Sequence, residues 1–200
     1  KIIIIACNSA SSAADKSVYQ IALHIPVFNV ISPVTKEVVQ ICSDYKIGVI
    51  GTKATIRSCI YETNIKAECS STHVVSLATP LLAPMIEEGF VNEEISHAVI
   101  ANYLANPVLQ NINHLILACT HYPLIYNEIK KYYDGKVNVI DSPSIIANHI
   151  KMELENKKLL SNKRSSKHHF YVSNYTKSFE KSAQFFFQKD IKLEEVTLAS

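Results

Sequence analysis

The sequence lacks the features that would assign it to a membrane, nucleic-acid-binding or repetitive class. No apolar run in its 200 residues approaches the ~18–20 residues that a membrane-spanning helix requires. The net charge is only +2, and the lysines are spread among acidic residues. Low-complexity tracts, short-period repeats and long linkers are also absent from the sequence. We therefore expect neither a nucleic acid nor a membrane as partner.

The cysteines are few, odd in number and irregularly spaced. They stand at positions 7, 42, 59, 69 and 119, with no C-x-x-C pair and no spacing typical of a metal site. A reduced, cytoplasmic setting fits this pattern better than a disulfide framework. We interpret Cys42, Cys59 and Cys69 as small buried hydrophobic residues. The missing C-x-x-C pair also argues against a thiol redox protein.

Short apolar runs alternate with segments of helical period along the whole chain. The apolar runs predict strands at residues 2–6, 27–30, 47–51, 74–78, 115–119, 137–141, 169–173 and 193–198. Helices are predicted between them, at residues 11–24, 33–44, 53–64, 80–88, 92–104, 123–133, 143–154 and 176–187. This alternation predicts an α/β fold with mainly parallel sheets flanked by helices.

Two of the predicted strands end in the same short pattern. In each case an aliphatic strand is followed by Ala-Cys, a polar pair and a helix. The two segments are IIIIACNSA at residues 2–10 and HLILACTHYPLI at residues 114–125. Ligands of parallel α/β sheets bind beyond the carboxyl ends of the strands. A helix N-terminus at the same place favours a thiolate. We therefore predict that Cys7 and Cys119 face each other across a cleft between two similar halves.

Polar residues near these cysteines are candidate binding groups. Thr52 and Thr55 follow the strand at residues 47–51, and a helix start there favours an anion such as a carboxylate. His121, two residues after Cys119, is a candidate proton partner, although Cys and His at this spacing could also be two metal ligands. No second Cys/His pair completes a tetrahedral set, so we expect no metal.

Two opposed thiols suit the inversion of an amino acid α-carbon. Inversion requires a base on one face of the carbon and an acid on the other. Because a thiol has a pKa of ~8.5, one cysteine can stand as thiolate while the other stays protonated, and the roles exchange for the opposite enantiomer. Fixed donors around the carboxylate would then stabilise the carbanion-like state without a cofactor.

The A-C-N-S-A stretch around Cys7 and the C-T-H-Y-P stretch at residues 119–123 resemble the two active-site signatures of glutamate racemases. These enzymes are cofactor-independent members of the aspartate/glutamate racemase superfamily. The resemblance continues through residues 51–61, 80–89, 139–143 and 168–173, and so spans nearly the whole chain. It implies interconversion of L-glutamate and D-glutamate, which supplies D-glutamate for peptidoglycan.

The resemblance also implies roles for individual residues. Cys7 and Cys119 would be the two acid/base residues; His121 would assist Cys119, and Glu87 would assist Cys7. The residues that would hold the amino and carboxylate groups of the substrate are Asn8, Ser9, Thr52, Thr55 and Thr120. Ser9 replaces the threonine that is more usual in the family. Since serine keeps the hydroxyl, we expect this replacement to change the affinity for substrate without abolishing binding.

Two α/β lobes that close over the substrate are a further implication of the resemblance. The first would comprise roughly residues 1–30 plus 142–200, and the second roughly residues 31–141. Family members carry one more βαβα stretch before the strand at residues 2–6, with an Asp-Ser-Gly loop and a Tyr-Gly pair. We therefore expect an N-terminally shortened chain with an incomplete first lobe. The racemase activity of this chain without the preceding stretch must be measured. Because racemases of this kind are often dimers, a homodimer is compatible with the sequence.

Two other functions stay open from the sequence. One is a racemase for aspartate or another small amino acid, against which His121 and Thr55 argue. The other is a catalytically incomplete remnant that binds amino acids or a protein partner. Exchange of the α-proton with solvent deuterium separates this remnant from an isomerase, because exchange requires working thiols whereas binding does not.

Overall fold

A computed structural model of the chain describes residues 2–14, 16–22, 24–41, 45–161, 163, 167–187 and 191–197. Its strands are β1 (Ile3–Ile5), β2 (Val27–Asn29), β3 (Lys46–Gly51), β4 (His73–Ala78), β5 (His114–Ala118), β6 (Asn138–Ile140), β7 (Phe170–Val172) and β8 (Leu193–Glu195). Its α-helices are α1 (Asn8–Ala13), α2 (Lys16–Ile21), α3 (Ser32–Gln40), α4 (Lys53–Arg57), α5 (Ile60–Glu68), α6 (Leu82–Glu87), α7 (Glu94–Leu104), α8 (Tyr126–Tyr133), α9 (Ser142–Asn156) and α10 (Lys177–Phe187). Short 3-10 helices lie at Pro107–Leu109 and Tyr122–Ile125.

The described strands pair in parallel throughout. β4, β3, β5 and β6 form one sheet in that order, β1 pairs with β2, and β7 pairs with β8. The predicted α/β fold with parallel sheets flanked by helices is therefore confirmed. The four-stranded sheet lies within residues 31–141 and the two smaller sheets lie outside that range. The division of the chain into two lobes stays a prediction.

The central strands β3 and β5 are held in place because helices cover both faces of their sheet. Successive side chains of a strand point to opposite faces, and Val49 and Ile50 are both fully buried. Val49 belongs to the core that α3 and α5 cover, whereas Ile50 belongs to the core that α6, α7 and α8 cover. Burying an aliphatic side chain of this size contributes ~1.5–3 kcal/mol. The carboxyl ends of both strands are thereby anchored side by side.

The predicted element types are confirmed in the described residues, except that residues 123–125 of the predicted helix 123–133 lie in a 3-10 helix. Two other predicted helices are each divided in two. The helix predicted at residues 11–24 is α1 and α2, since Ala14 has an extended backbone. The helix predicted at residues 53–64 is α4 and α5, with Cys59 between them at a left-handed φ of 53°. Apolar periodicity continues across both breaks, which is why the pattern does not show them. Some predicted positions lie outside the described residues: 15 and 23 of the predicted helix 11–24, 42–44 of the predicted helix 33–44, and 198 of the last predicted strand.

Cys59 and Cys69 differ from the sequence-based interpretation. Cys59 is exposed, so the expectation of a buried hydrophobic residue is wrong there, because its position in the tight turn between α4 and α5 directs it to solvent. Cys69 is only partly buried, and its Sγ accepts a hydrogen bond from the Thr72 hydroxyl at 3.0 Å. Cys42 lies outside the described residues.

None of the described helices combines the length and the apolar character needed to cross a membrane.

Candidate active site

The carboxyl ends of β1, β3 and β5 open into one cavity of about 610 Å³. Eight of the nine site residues predicted from the sequence line this cavity, and both Cys7 and Cys119 are among them. The ninth, Thr55, contacts two of the lining residues through its hydroxyl. The fold therefore brings together residues that lie up to 114 positions apart in the sequence.

Cys7 links β1 to α1 at the edge of the cavity. Its backbone is extended, and its carbonyl accepts the first helical hydrogen bond of α1 from Ser11 N–H at 2.8 Å. The Ser11 hydroxyl donates to the carbonyl of Ile5 at 2.9 Å, which ties the end of β1 to α1. The side chain of Cys7 is exposed. A thiol at this junction is open to a ligand in the cavity.

Cys119 follows β5 and is buried, with 6% of its surface exposed. Burial raises the pKa of its thiol, and hydrogen bonds from the backbone of His121 and Thr120 oppose the rise. Negative charge on Cys7 or Glu87 raises the same pKa further. The protonated thiol is therefore favoured, and a nearby proton acceptor would assist formation of the thiolate.

His121 provides a proton acceptor beside Cys119. Its Nδ1 lies 3.6 Å from the Cys119 Sγ, and its Nε2 lies 2.8 Å from Oε1 of Glu87, at the end of α6. The ring also meets the edge of Phe186 from α10, with centroids 5.7 Å apart. The thiol, imidazole and carboxylate thus form a continuous chain. The structure places Glu87 against the histidine of Cys119, and assistance by Glu87 to Cys7 stays a prediction.

Three hydroxyl groups from two chain segments form a cluster next to the cysteines. The Ser9 Oγ lies 2.8 Å from Thr52 Oγ1 and 3.2 Å from Thr55 Oγ1, and the two threonine oxygens are 3.2 Å apart. Thr52 caps the N-terminus of α4, where its Oγ1 accepts a hydrogen bond from Thr55 N–H at 3.3 Å. Hydroxyl protons can rotate toward an anion, so the cluster can donate to a carboxylate.

Two further hydrogen bonds join the segment after β1 to residues that lie beside the four-stranded sheet. Thr120 donates its hydroxyl proton to the carbonyl of Ala6 at 2.9 Å. Tyr61 in α5 donates to Oδ1 of Asn8 at 2.6 Å. Sequence reasoning missed Tyr61, because a tyrosine in a helical pattern is typical of a core residue. Its only sequence signal is its place in the segment 51–61 that resembles glutamate racemases.

Within the described part of the chain, no group of three or more His, Cys, Asp and Glu side chains is arranged to hold a metal ion.

Comparisons with known proteins identify the family of this chain. The profile of the Asp/Glu/Hydantoin racemase family matches residues 1–150, and the chain belongs to this family of amino-acid racemases. Several curated relatives of this chain are glutamate racemases. That of Sulfurihydrogenibium sp. is 36% identical over 197 residues, which cover 98% of this chain and 73% of the relative.

Solved structures of glutamate racemases have the same fold. The Francisella tularensis enzyme in complex with D-glutamate superposes with a TM-score of 0.89 at 36% identity, over 98% of this chain and 73% of that one. The Bacillus anthracis enzyme also gives a TM-score of 0.89, at 33% identity, over 99% of this chain and 74% of that one. The predicted resemblance to glutamate racemases is confirmed.

Proposed function

We propose that this chain interconverts L-glutamate and D-glutamate by passing the α-proton between Cys7 and Cys119. The supporting observation is that both cysteines, carried by different strand ends, line one cavity. The cavity of about 610 Å³ is large enough for an amino acid of this size. The relatives at 34–36% identity are named as glutamate racemases, and one solved relative binds D-glutamate.

In each direction one thiolate acts as base and the opposite thiol acts as acid. The thiolate takes the α-proton, so that the Cα–H bond breaks and an S–H bond forms. The carbanion-like carbon then takes the proton of the other thiol on its opposite face, which leaves a thiolate there. The product is the opposite enantiomer, and the protonation states of the two cysteines are exchanged.

His121 lowers the cost of forming a thiolate at the buried Cys119. Its Nδ1 lies 3.6 Å from the sulfur and can hold the thiol proton, while Glu87 at 2.8 Å from Nε2 stabilises the imidazolium that results. This proton transfer opposes the effect of burial, which raises the pKa of Cys119.

The hydroxyl cluster and Asn8 hold the substrate. Ser9, Thr52 and Thr55 donate to the α-carboxylate, on which negative charge develops as the α-proton leaves. Thr120 and Asn8 complete the binding of the amino and carboxylate groups at the ends of β5 and β1. Because these donors are already held by the fold, they cost little reorganisation during the reaction.

The reaction fits a cytoplasmic role in supplying D-glutamate for peptidoglycan synthesis. Both thiols must stay reduced to carry protons, and the cytoplasm keeps thiols reduced. A homodimer is compatible with this role, and sedimentation of the purified chain tests it.

Incubation of the chain with each glutamate enantiomer in D₂O tests the proposal. We expect the Cα–H signal in the proton NMR spectrum to disappear and the circular dichroism of glutamate to decay to zero from either enantiomer. L-Aspartate is the control substrate and should exchange far more slowly. Binding of D-glutamate by calorimetry, with no exchange of either enantiomer, would instead indicate a protein that only binds amino acids.

A further inference from the structure

A short buried hydrogen bond joins Tyr61 to the candidate site. Tyr61 lies in α5, is 3% exposed and does not line the cavity. Its hydroxyl donates to Oδ1 of Asn8 at 2.6 Å, although the two residues are 53 positions apart in the sequence. Asn8, in contrast, lines the cavity from the first turn of α1. The hydrogen bond therefore connects a residue of the core to a residue of the site.

The hydroxyl of Tyr61 decides which way the Asn8 amide faces. A buried phenol O–H requires an acceptor, and among the described residues it reaches the amide oxygen of Asn8. If the amide turned by 180°, its NH₂ group would face the hydroxyl, and the phenol proton would lose its acceptor. Burial also raises the pKa of Tyr61 far above its usual range, so the hydroxyl keeps its proton at any physiological pH.

The nitrogen of the Asn8 side-chain amide, Nδ2, is available to a ligand. Among the described residues, none accepts a hydrogen bond from Nδ2 of Asn8, and the residue borders the cavity. Two N–H donors at this position suit an acceptor oxygen such as that of a carboxylate.

We propose that Tyr61 is a positioning residue, which orients the amide of Asn8 so that its N–H donors face the substrate. This inference rests on the proposed function of the cavity and adds to it a residue that does not touch the substrate. A hydrogen bond with a structural role only would connect α1 to α5 without affecting substrate affinity. The two roles therefore differ in their expected effect on KM.

Replacement of Tyr61 by phenylalanine tests the role with little change in packing. The ring stays in the core, while the hydroxyl that orients Asn8 is lost. We expect Tyr61→Phe to raise KM for both enantiomers about tenfold, the effect of losing one oriented hydrogen bond, with a smaller change in kcat. Since the two enantiomers have equal free energies, kcat/KM must fall by the same factor in both directions.

Tyr126→Phe is the matched control. Tyr126 is a partly buried tyrosine that donates to the carbonyl of Val139 at 3.4 Å, and it does not line the cavity. Both variants should lower the stability in urea, but only Tyr61→Phe should raise KM. Equal KM values in Tyr61→Phe and the unmodified chain would overturn the proposal.

A double-mutant cycle with Asn8→Ala separates positioning from an independent effect of Tyr61. If Tyr61 acts through Asn8, the double variant should be no more impaired in kcat/KM than Asn8→Ala alone. Multiplicative losses in the double variant would overturn the positioning role and leave the proposed function standing.

Calorimetric binding of D-glutamate distinguishes a failure of this inference from a failure of the proposed function. If the unmodified chain binds D-glutamate without turning it over, the proposed function fails, and a dissociation constant about tenfold weaker in Tyr61→Phe still supports the inference. An unchanged dissociation constant would overturn it. Absence of D-glutamate binding by the unmodified chain would overturn both.

Discussion

At the residue scale, Cys7 and Cys119 have different surroundings although their sequence motifs match. Cys7 is exposed, whereas Cys119 is buried beside His121. Water stabilises a thiolate better than a protein interior does, so the buried thiol depends on nearby groups to lose its proton. The two proposed acid/base groups are therefore not equivalent in the free protein, and only Cys119 has a histidine at contact distance among the described hydrogen bonds.

The buried thiol should show its raised pKa in its rate of alkylation. Burial raises the pKa of Cys119, so its reaction with iodoacetamide should still be accelerating above the ~8.5 of an ordinary thiol. Timed alkylation over a series of pH values, read peptide by peptide by mass spectrometry, measures this. Cys59 is exposed and is the internal reference for reagent access. A Cys119 rate that has levelled off below pH ~8 would contradict the assignment.

The carboxylate of Glu87 should matter for catalysis through His121. Glu87→Gln keeps a hydrogen-bond acceptor 2.8 Å from Nε2 but removes the charge that stabilises an imidazolium. Because the Glu87 side chain is 54% exposed, we expect only about a tenfold loss of kcat. The control is Glu88→Gln, since the neighbouring carboxylate does not line the cysteine cavity. Equal losses in the two variants would argue against the Cys119–His121–Glu87 chain.

The residues that sequence reasoning predicts best are those whose signal is local. Cys7 and Cys119 each follow an aliphatic run and precede a polar pair, and the cavity contains both. Tyr61 has no such signal, since its hydrogen bond to Asn8 joins residues 53 positions apart and exists only in the folded chain. The exposure of Cys59 could not be predicted for a similar reason, because the apolar periodicity of the sequence does not indicate the left-handed turn before α5.

At the scale of elements, the close approach of β3 and β5 positions the site. Gly51 pairs with Ala118 at the carboxyl ends of the two strands, and the site residues Thr52 and Cys119 follow directly. A Cβ atom at Gly51 would lie 3.0 Å from the backbone oxygen of Ala118. A glycine at this position therefore permits the spacing that brings the hydroxyl cluster next to the buried thiol.

Gly51→Ala should separate the two strand ends and impair the site. The added methyl group meets backbone rather than a flexible side chain, so overpacking should cost ~1–3 kcal/mol in the free energy of unfolding. Urea denaturation measures the loss, and the racemisation assay should show a parallel fall in kcat/KM. Unchanged stability together with unchanged turnover would show that the strand ends tolerate a wider spacing.

The order of strands and helices could be predicted from the sequence, but their ends and pairings could not. Apolar runs predicted β3 and β5 within one residue at each end. The break between α1 and α2 follows from the backbone of Ala14, which has no strong sequence signal. Pairing of β3 with both β4 and β5 depends on contacts distant in sequence, which a local pattern does not contain.

At the scale of the whole molecule, polar contacts at the site join the segment after β1 to loops and a helix that adjoin the four-stranded sheet. These contacts include Ser9 with Thr52, Asn8 with Tyr61, and Thr120 with the carbonyl of Ala6. The site thus forms where two parts of the chain meet, and its geometry depends on their relative position. β1 itself pairs on one side only among the described strands.

Among the described residues, β1 and α2 expose apolar surface. Ile3, Val18 and Ile21 are among the residues lining a cavity of about 600 Å³, and Ile21 is 79% exposed. Exposed apolar surface next to an unpaired strand edge promotes association. We expect Ile21→Lys to reduce concentration-dependent light scattering of the purified chain without lowering its stability in urea. Ile95→Lys, at a 54% exposed site in α7, is the control and should change scattering less.

The most direct test of the account is the stereochemistry of α-proton exchange in variants that retain one of the two cysteines. Cys7→Ala and Cys119→Ala should both lose racemisation, while Cys59→Ala should retain it. Since the surviving thiol reaches only one face of the α-carbon, each of the two inactive variants should exchange the α-proton of a single enantiomer in D₂O. The account predicts opposite enantiomers for the two variants. Exchange of the same enantiomer by both, or full racemisation by either, would contradict a mechanism with one thiol on each face of the substrate.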